Sequence, residues 1–218
     1  EGMSLAGGFD YEDFLIARLH FIDNNTLVAV GESATYYYDV SGEPEMKKIT
    51  LPLTDETIEA LRAGESVLLS GTLLTGRDCA HKRICAMLDA GEELPFHLRG
   101  ETIYYAGPCP APDGKACGSC GPTTSARMDA FAPRLLDLGL KGMIGKGERS
   151  KEVCEAIVRD HSVYFAAIGG AGALYGNAVQ KSEIVAFPDL LSEAVYRFTV
   201  KDFPCIVAID CKGGNVYR

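Results

Sequence analysis

The sequence predicts an α/β domain with a mixed sheet flanked by helices, and three observations carry that expectation. Short runs of β-branched and apolar residues alternate with stretches whose apolar positions recur three and four residues apart. Capping side chains or glycines punctuate most junctions between them. The last apolar run, "CIVAID", leads into a "KGGN" turn, which adds antiparallel pairing near the C-terminus.

Residues 1–45 stand apart. "FLIARLHFIDNNTLVAV" reads as two β-rich runs around Asn24 and Asn25, the pattern of a hairpin, and "ATYYYDVSGEPE" follows. This stretch is expected to be a leader, a linker or a fusion remnant, with Glu1 and Gly2 a cloning scar. The main domain, 46–218, opens at Met46 with a short strand. A helix follows, with Thr54 or Asp55 as N-cap, Ile58 and Leu61 facing inward and Gly64 at its end.

Next come the strand "SVLLSGTLL" and the helix "DCAHKRICAMLDAGE", which has Asp78 as N-cap, Gly91 as stop and Ala80, Ile84 and Leu88 on one face. "TIYYAG" is a strand. Residues 107–122 form a Gly/Pro-rich loop, and Thr123 to Leu138 read as one helix ended by Gly139. "LKGMIG" is a strand, "SKEVCEAIVRD" a helix, "VYFAAIGG" a buried strand, and "SEIVAF" and "CIVAID" are the last strands. No internal repeat is visible.

Composition excludes several classes of function. A net charge of −9 argues against binding a phosphate backbone, which needs a basic face, so an anionic ligand must be captured by a few local cations. No apolar run approaches the length of a membrane span, and "EGMSLAGGFDYEDF" lacks the basic flank and apolar core of a secretory signal; a cytoplasmic protein is expected. The 8 cysteines are scattered through apparent helices, strands and loops, which fits reduced thiols better than a disulfide framework.

Cys117 and Cys120 make a single CxxC, and no second CxxC or nearby CxxH completes a metal site. His81 and His97 sit apart from it. "GLKGMIGKGERS" departs from a phosphate loop at Leu140 and Gly147, and "GGAGALYG" departs from the dinucleotide fingerprint at Tyr175.

The stretch "GPTTSAR" has two readings. Thr123 and Thr124 after Pro122 can simply cap a helix. Alternatively, Thr123 and Arg127, spaced i and i+4, share one face at a helix N-terminus that favours an anion. Two more cations sit at comparable junctions: Arg77 after "SGTLLTG" and Lys146 after "LKGMIG". Each alone is an ordinary surface charge. Together, at the carboxyl ends of strands where α/β sheets collect ligands, they suit a small dicarboxylate.

In the order "GTLLTGRDCAH", "YYAGP", "GPTTSARMD", "GKGERSKEV" and "FTVKDFPCIVAID" followed by Cys211 and "KGGN", the chain from about Met46 onward resembles the β subunit, or C-terminal domain, of class I iron-sulfur fumarases and the related L(+)-tartrate dehydratases. The resemblance implies a swivelling β/β/α domain that closes over an active site shared with an α subunit, and a hydro-lyase active only with that subunit. It implies a 4Fe-4S cluster held by the α subunit and not by this chain. Arg77 and Arg127 would bind substrate carboxylates and Lys146 would assist; Asp78, His81 and Thr124 fall within the same two motifs as further substrate-binding positions.

Thr123 would be the group for proton transfer at carbon, which requires strong stabilisation of its alkoxide because an ordinary hydroxyl is a poor base. "GERSK" looks more like fumarases than tartrate dehydratases. The expected reaction is reversible hydration of fumarate to L-malate, a tricarboxylic acid cycle step. The alternatives are a tartrate dehydratase β subunit, or a non-catalytic module that binds dicarboxylates or another protein. A hetero-oligomer is expected, or a homodimer when the chain is alone, with no nucleic-acid or membrane partner.

Overall fold

The computed structural model describes residues 16–23, 26–31, 35–39 and 46–218. The chain divides into two compact units, Glu1–Glu45 and Met46–Arg218. In the first, β1 (Ile16–Asp23), β2 (Thr26–Gly31) and β3 (Thr35–Asp39) form an antiparallel sheet in chain order, with Asp23 opposite Thr26. The proposed turn residues Asn24 and Asn25, and Glu1 and Gly2, lie outside the described residues.

The second unit is mixed α/β. Its elements are β4 (Lys47–Thr50), α1 (Asp55–Ala60), β5 (Ser66–Thr75), α2 (Asp78–Asp89), β6 (Thr102–Tyr104), α3 (Ala132–Asp137), β7 (Gly142–Gly145), α4 (Lys151–Arg159), β8 (Val163–Ala166), α5 (Gly172–Ala178), β9 (Val179–Ala186) and β10 (Val195–Ile209). Strands β5, β6, β7 and β8 run parallel side by side. β4 pairs in parallel with the lower half of β5, on the edge that β6 takes higher up. β10 is antiparallel to everything it touches: β9 along its start, β5 along most of its length and β8 at its end. Because β10 joins β5 to β8, the ring β5-β6-β7-β8-β10 closes on itself, which protects the edges of the short central strands.

Alternation along β6 to β8 explains the two apolar layers. Tyr104, Ile144 and Phe165 point to one face, with Leu69, Leu73, Phe198 and Phe203; Ile103, Met143 and Tyr164 point to the other, against Ala80, Ile84, Leu135 and Ile157. Both faces are covered, so these strands read as continuous apolar runs.

Local signals place several helices. Thr54 Oγ1 accepts from the Thr57 N–H at the start of α1, and Ser150 Oγ accepts from the Val153 N–H at the start of α4. In α2 the expectation needs correction: Arg77, not Asp78, is the N-cap residue, and it makes no side-chain cap bond. Asp78 is instead in the first turn, with its carboxylate on Arg127.

The single helix expected over Thr123 to Leu138 is also corrected. The chain makes a 3-10 turn at Ser125–Met128 and a separate α3, with Phe131 as N-cap and Pro133 in its first turn. Two forces divide it. Thr124 forms a parallel bridge with Lys146 and the Ser125 N–H donates to the Lys146 carbonyl at 2.9 Å, which holds this backbone extended; Pro133 then suits only a new helix start. Thr123 and Arg127 therefore do not share a helical face.

The C-terminal strand is longer than "CIVAID". β10 reaches back through "VYRFTVKDFP", past Pro204, because a register shift between Val200 and Phe203 takes up the irregularity, with Asp202 at φ 51° and its N–H on Ser70 Oγ. The "KGGN" turn is fixed by the Asp210 carboxylate, which accepts from the N–H groups of Ala63, Lys212 and Gly214.

Candidate functional site

The carboxyl ends of β5, β6, β7 and β8 lie at one end of the sheet, and the loops that leave them carry the candidate residues. Arg77 leaves β5. Its guanidinium stands 3.9 Å from Glu193 and packs on Gly107, where a Cβ would come within 3.1 Å of an Arg77 nitrogen and 2.8 Å of the Ser192 carbonyl. Glycine at 107 thus makes room for the arginine. The Arg77 Nε–H is buried and has no acceptor among the described residues, an expensive state for a donor.

Asp78 turns toward the 3-10 segment. Arg127 pairs with it through one hydrogen bond, Nε donating to Oδ1 at 3.0 Å, and a charge contact of a terminal nitrogen 2.9 Å from Oδ2, while half of the Arg127 side chain stays in solvent. This pair ties Arg127 to the loop that carries Arg77.

His81 lies beneath, completely buried, edge-on to Tyr105. Burial pushes its pKa down to about 4, so the ring is neutral at pH 7. Since Nδ1 lies 2.8 Å from the Arg77 carbonyl, Nδ1 carries the proton and donates; Nε2 is left as a buried acceptor with no partner among the described residues. His81 reaches the site by holding the Arg77 backbone.

On the other side, the Thr123 N–H donates to the Tyr105 carbonyl at 2.7 Å, and the Thr124 bridge to Lys146 sets the next residue beside β7. Thr123 is half-buried and Thr124 exposed. Lys146 makes no ion pair among the described residues, and its stem runs past Gly169, where a Cβ would lie 3.6 Å from the ammonium nitrogen. The structure therefore makes two groups on adjoining loops: Arg77, Asp78, Arg127 and His81, and Thr123, Thr124 and Lys146.

Sequence reasoning missed the frame that holds these loops. Arg149 is buried, with Nε on Asp129 at 2.7 Å, one terminal nitrogen 3.4 Å from the Tyr105 hydroxyl, and its plane near the rings of Tyr105 and Tyr164. Asp129 also accepts from the Ser150 N–H, and the Tyr164 hydroxyl joins Ser125 Oγ to the Gly147 carbonyl. "GERSK" contains this arginine, but nothing local distinguishes a buried guanidinium from a solvated one.

The thiols do not fit an iron-sulfur cluster within this chain. Cys117 and Cys120 are both buried in one core layer, and their mutual contact pushes the Cys120 thiol up while lowering Cys117, so the pair offers one thiolate at most, fewer than a cluster needs. An apolar cavity of about 520 Å³ beside them is lined by Cys109 and Cys117 only among the cysteines, short of a three-thiol set. No helix among the described residues is long and apolar enough to cross a membrane.

Comparison with known proteins places these features in context. The family model described as "Fumarase C-terminus" matches residues 25–218, and so begins within the first unit rather than at Met46. "Fumarate hydratase 2" of Leishmania major is 40% identical over 156 residues, which is 71% of this chain and 28% of that protein. "Fumarate hydratase class I, anaerobic" of Escherichia coli is 37% identical over 184 residues, 82% of this chain and 34% of that one. "Putative L(+)-tartrate dehydratase subunit beta" of Methanocaldococcus jannaschii is 40% identical over 172 residues, 76% of this chain and 88% of that one. The chain thus spans about a third of these two hydratases and most of the Methanocaldococcus protein.

Proposed function

The chain belongs to the fumarase C-terminus family, and from that premise we propose that it is the β subunit of a class I fumarate hydratase. In this reading it is a swivelling half that closes on a cluster-bearing α subunit, and residues 1–45 are an extension to the hydro-lyase domain. The relatives named as hydratases are about three times as long as the stretch they share with this chain, whereas the one named as a β subunit is nearly matched in length, which supports a divided enzyme. Work in the cytoplasm fits the reading.

One observation carries the substrate assignment. Arg77 and Lys146 leave parallel strands at the same end of the sheet with cationic groups open to a ligand: a guanidinium a quarter exposed whose carboxylate neighbour stands 3.9 Å away, and an ammonium with no ion pair among the described residues. Arg77 binds one carboxylate of fumarate through its fork and Lys146 serves as a point charge for the other, with Arg127, Asp78 and Thr124 at the rim. His81 acts through Arg77.

Thr123 moves the proton at carbon. Hydration adds hydroxide to one carbon of the double bond and a proton to the other; the reverse reaction removes that proton beside a carboxylate, leaving charge that the bound cation stabilises. The broken helix removes the helix N-terminus as a stabiliser of a Thr123 alkoxide and leaves that role to a cation of the closed site.

The test is anaerobic turnover of fumarate and of L(+)-tartrate by this chain mixed with a cluster-loaded α subunit, and by each alone. Activity in the mixture only, faster on fumarate, is expected. Faster turnover of tartrate would reassign the substrate. A mixture inactive on both, with the cluster intact, would leave a binding module.

A further inference from the structure

The opposite end of the sheet holds a second cluster of reactive side chains. Glu59 is in the last turn of α1, His161 lies in the turn between α4 and β8, and Cys211 follows β10. β8 starts, and antiparallel β10 finishes, at the end of the sheet away from the carboxyl ends that carry Arg77 and Lys146. One oxygen of Glu59, one ring nitrogen of His161 and the Cys211 sulfur all lie within 4.8 Å of one another.

We propose that Glu59, His161 and Cys211 form a binding site for a divalent metal ion of the zinc class. The donor set selects the metal: thiolate and imidazole with one carboxylate suit zinc or cobalt, whereas magnesium and calcium take oxygen ligands. Three protein ligands leave a fourth position for water.

The geometry is close to that of a bound ion. Metal–ligand bonds of about 2.0–2.3 Å give tetrahedral edges of roughly 3.3–3.7 Å. The edge from Glu59 Oε1 to His161 Nδ1 is already 3.1 Å, and both side chains are exposed enough to turn toward the sulfur. Cys211 is held in reach by its contact with the Ile58 carbonyl at 3.6 Å, next to Glu59 in the chain. Lys212, 3.3 Å from the other Glu59 oxygen, occupies the far side of the carboxylate.

His161 adopts a left-handed backbone at φ 48°, a conformation that histidine takes more readily than most side chains, and its ring lies against Glu59. The neighbouring turn is rigid because Asp210 accepts three backbone N–H groups. A metal here would tie together α1, the α4–β8 turn and the C-terminal turn, segments far apart in sequence. Its role is therefore a staple that stabilises the domain.

Cobalt(II) titration of the full chain under reducing conditions tests the site, followed by displacement with zinc. The expected result is one equivalent bound, with a thiolate-to-cobalt charge-transfer band that disappears in Cys211→Ser. His161→Ala, an exposed change, should weaken binding about tenfold or more. Zinc should raise the melting temperature of the wild-type chain and leave that of Cys211→Ser unmoved. A double variant, Cys117→Ser with Cys120→Ser, should keep the band. The proposal is overturned by a wild-type chain without the band, by unchanged affinity in His161→Ala, or by a band lost only in the double variant.

Discussion

Arg149 and Arg77 leave the same end of the same sheet, yet the fold treats them oppositely. Arg149 sits after β7 with no exposed side-chain surface, its charge on Asp129 and its plane near two tyrosine rings. Arg77 sits after β5 a quarter exposed, and its one carboxylate neighbour among the described residues stands 3.9 Å away. A buried cation must be satisfied inside the protein, whereas one at the rim can keep a donor in reserve for a ligand. The difference separates the residue that builds the loops from the residues proposed to use them.

Removing the builder should have the largest effect. Arg149→Met is expected to lower unfolding stability in urea by about 3–5 kcal/mol, because Asp129 loses its partner and the loops at Ser125 and Ser150 lose their anchor. A loss under about 1 kcal/mol would mean that the tyrosines, not the charge, hold the frame.

The pH dependence sharpens the same contrast from below Arg77. His81 is neutral and buried, with a pKa near 4 in the folded chain against an ordinary 6.5, so the unfolded chain binds more protons between these values. Its contribution is fully present above pH 6.5 and is lost as pH falls toward 4, about 3 kcal/mol in all. Comparing denaturation curves of the wild type and His81→Gln across that window isolates it: the difference between them should shrink as pH falls. A constant difference would contradict the neutral assignment.

Thr123→Ala should reduce kcat of the reconstituted enzyme roughly 100-fold or more with little change in KM, as expected for a proton-transfer group. Normal turnover would remove Thr123 from the mechanism. The smallest effect belongs to Asp78→Asn, which loosens a half-exposed pair; thermal melts should register less than about 1 kcal/mol.

Much of the fold was legible because its signals are local. Thr54 and Ser150 announce α1 and α4, and the apolar runs of β5, β7 and β8 need no partner to be recognised. The helix expected from Thr123 to Leu138 is broken by one distant cause and one local one: Lys146 pairs with Thr124 and takes the Ser125 N–H, which no local pattern shows, whereas Pro133 is a breaker visible within the stretch itself. β10 was read short for a related reason, since the irregularity at Asp202 is absorbed by its partner Ser70.

The candidate site followed the same rule. Strand-end cations were visible at Arg77 and Lys146, but the Asp78–Arg127 pair, the tautomer of His81 and the burial of Arg149 depend on neighbours from other loops. Glu59, His161 and Cys211 have no shared motif at all. Only the folded chain brings them within 4.8 Å.

The most direct measurement compares Arg77→Met and Lys146→Met in the reconstituted enzyme by steady-state fumarate kinetics, with the melting of each chain alone. The account predicts a KM raised at least tenfold in both variants, with unfolding stability within about 0.5 kcal/mol of the wild type. Unchanged KM in both variants would contradict the claim that these rim cations hold the substrate.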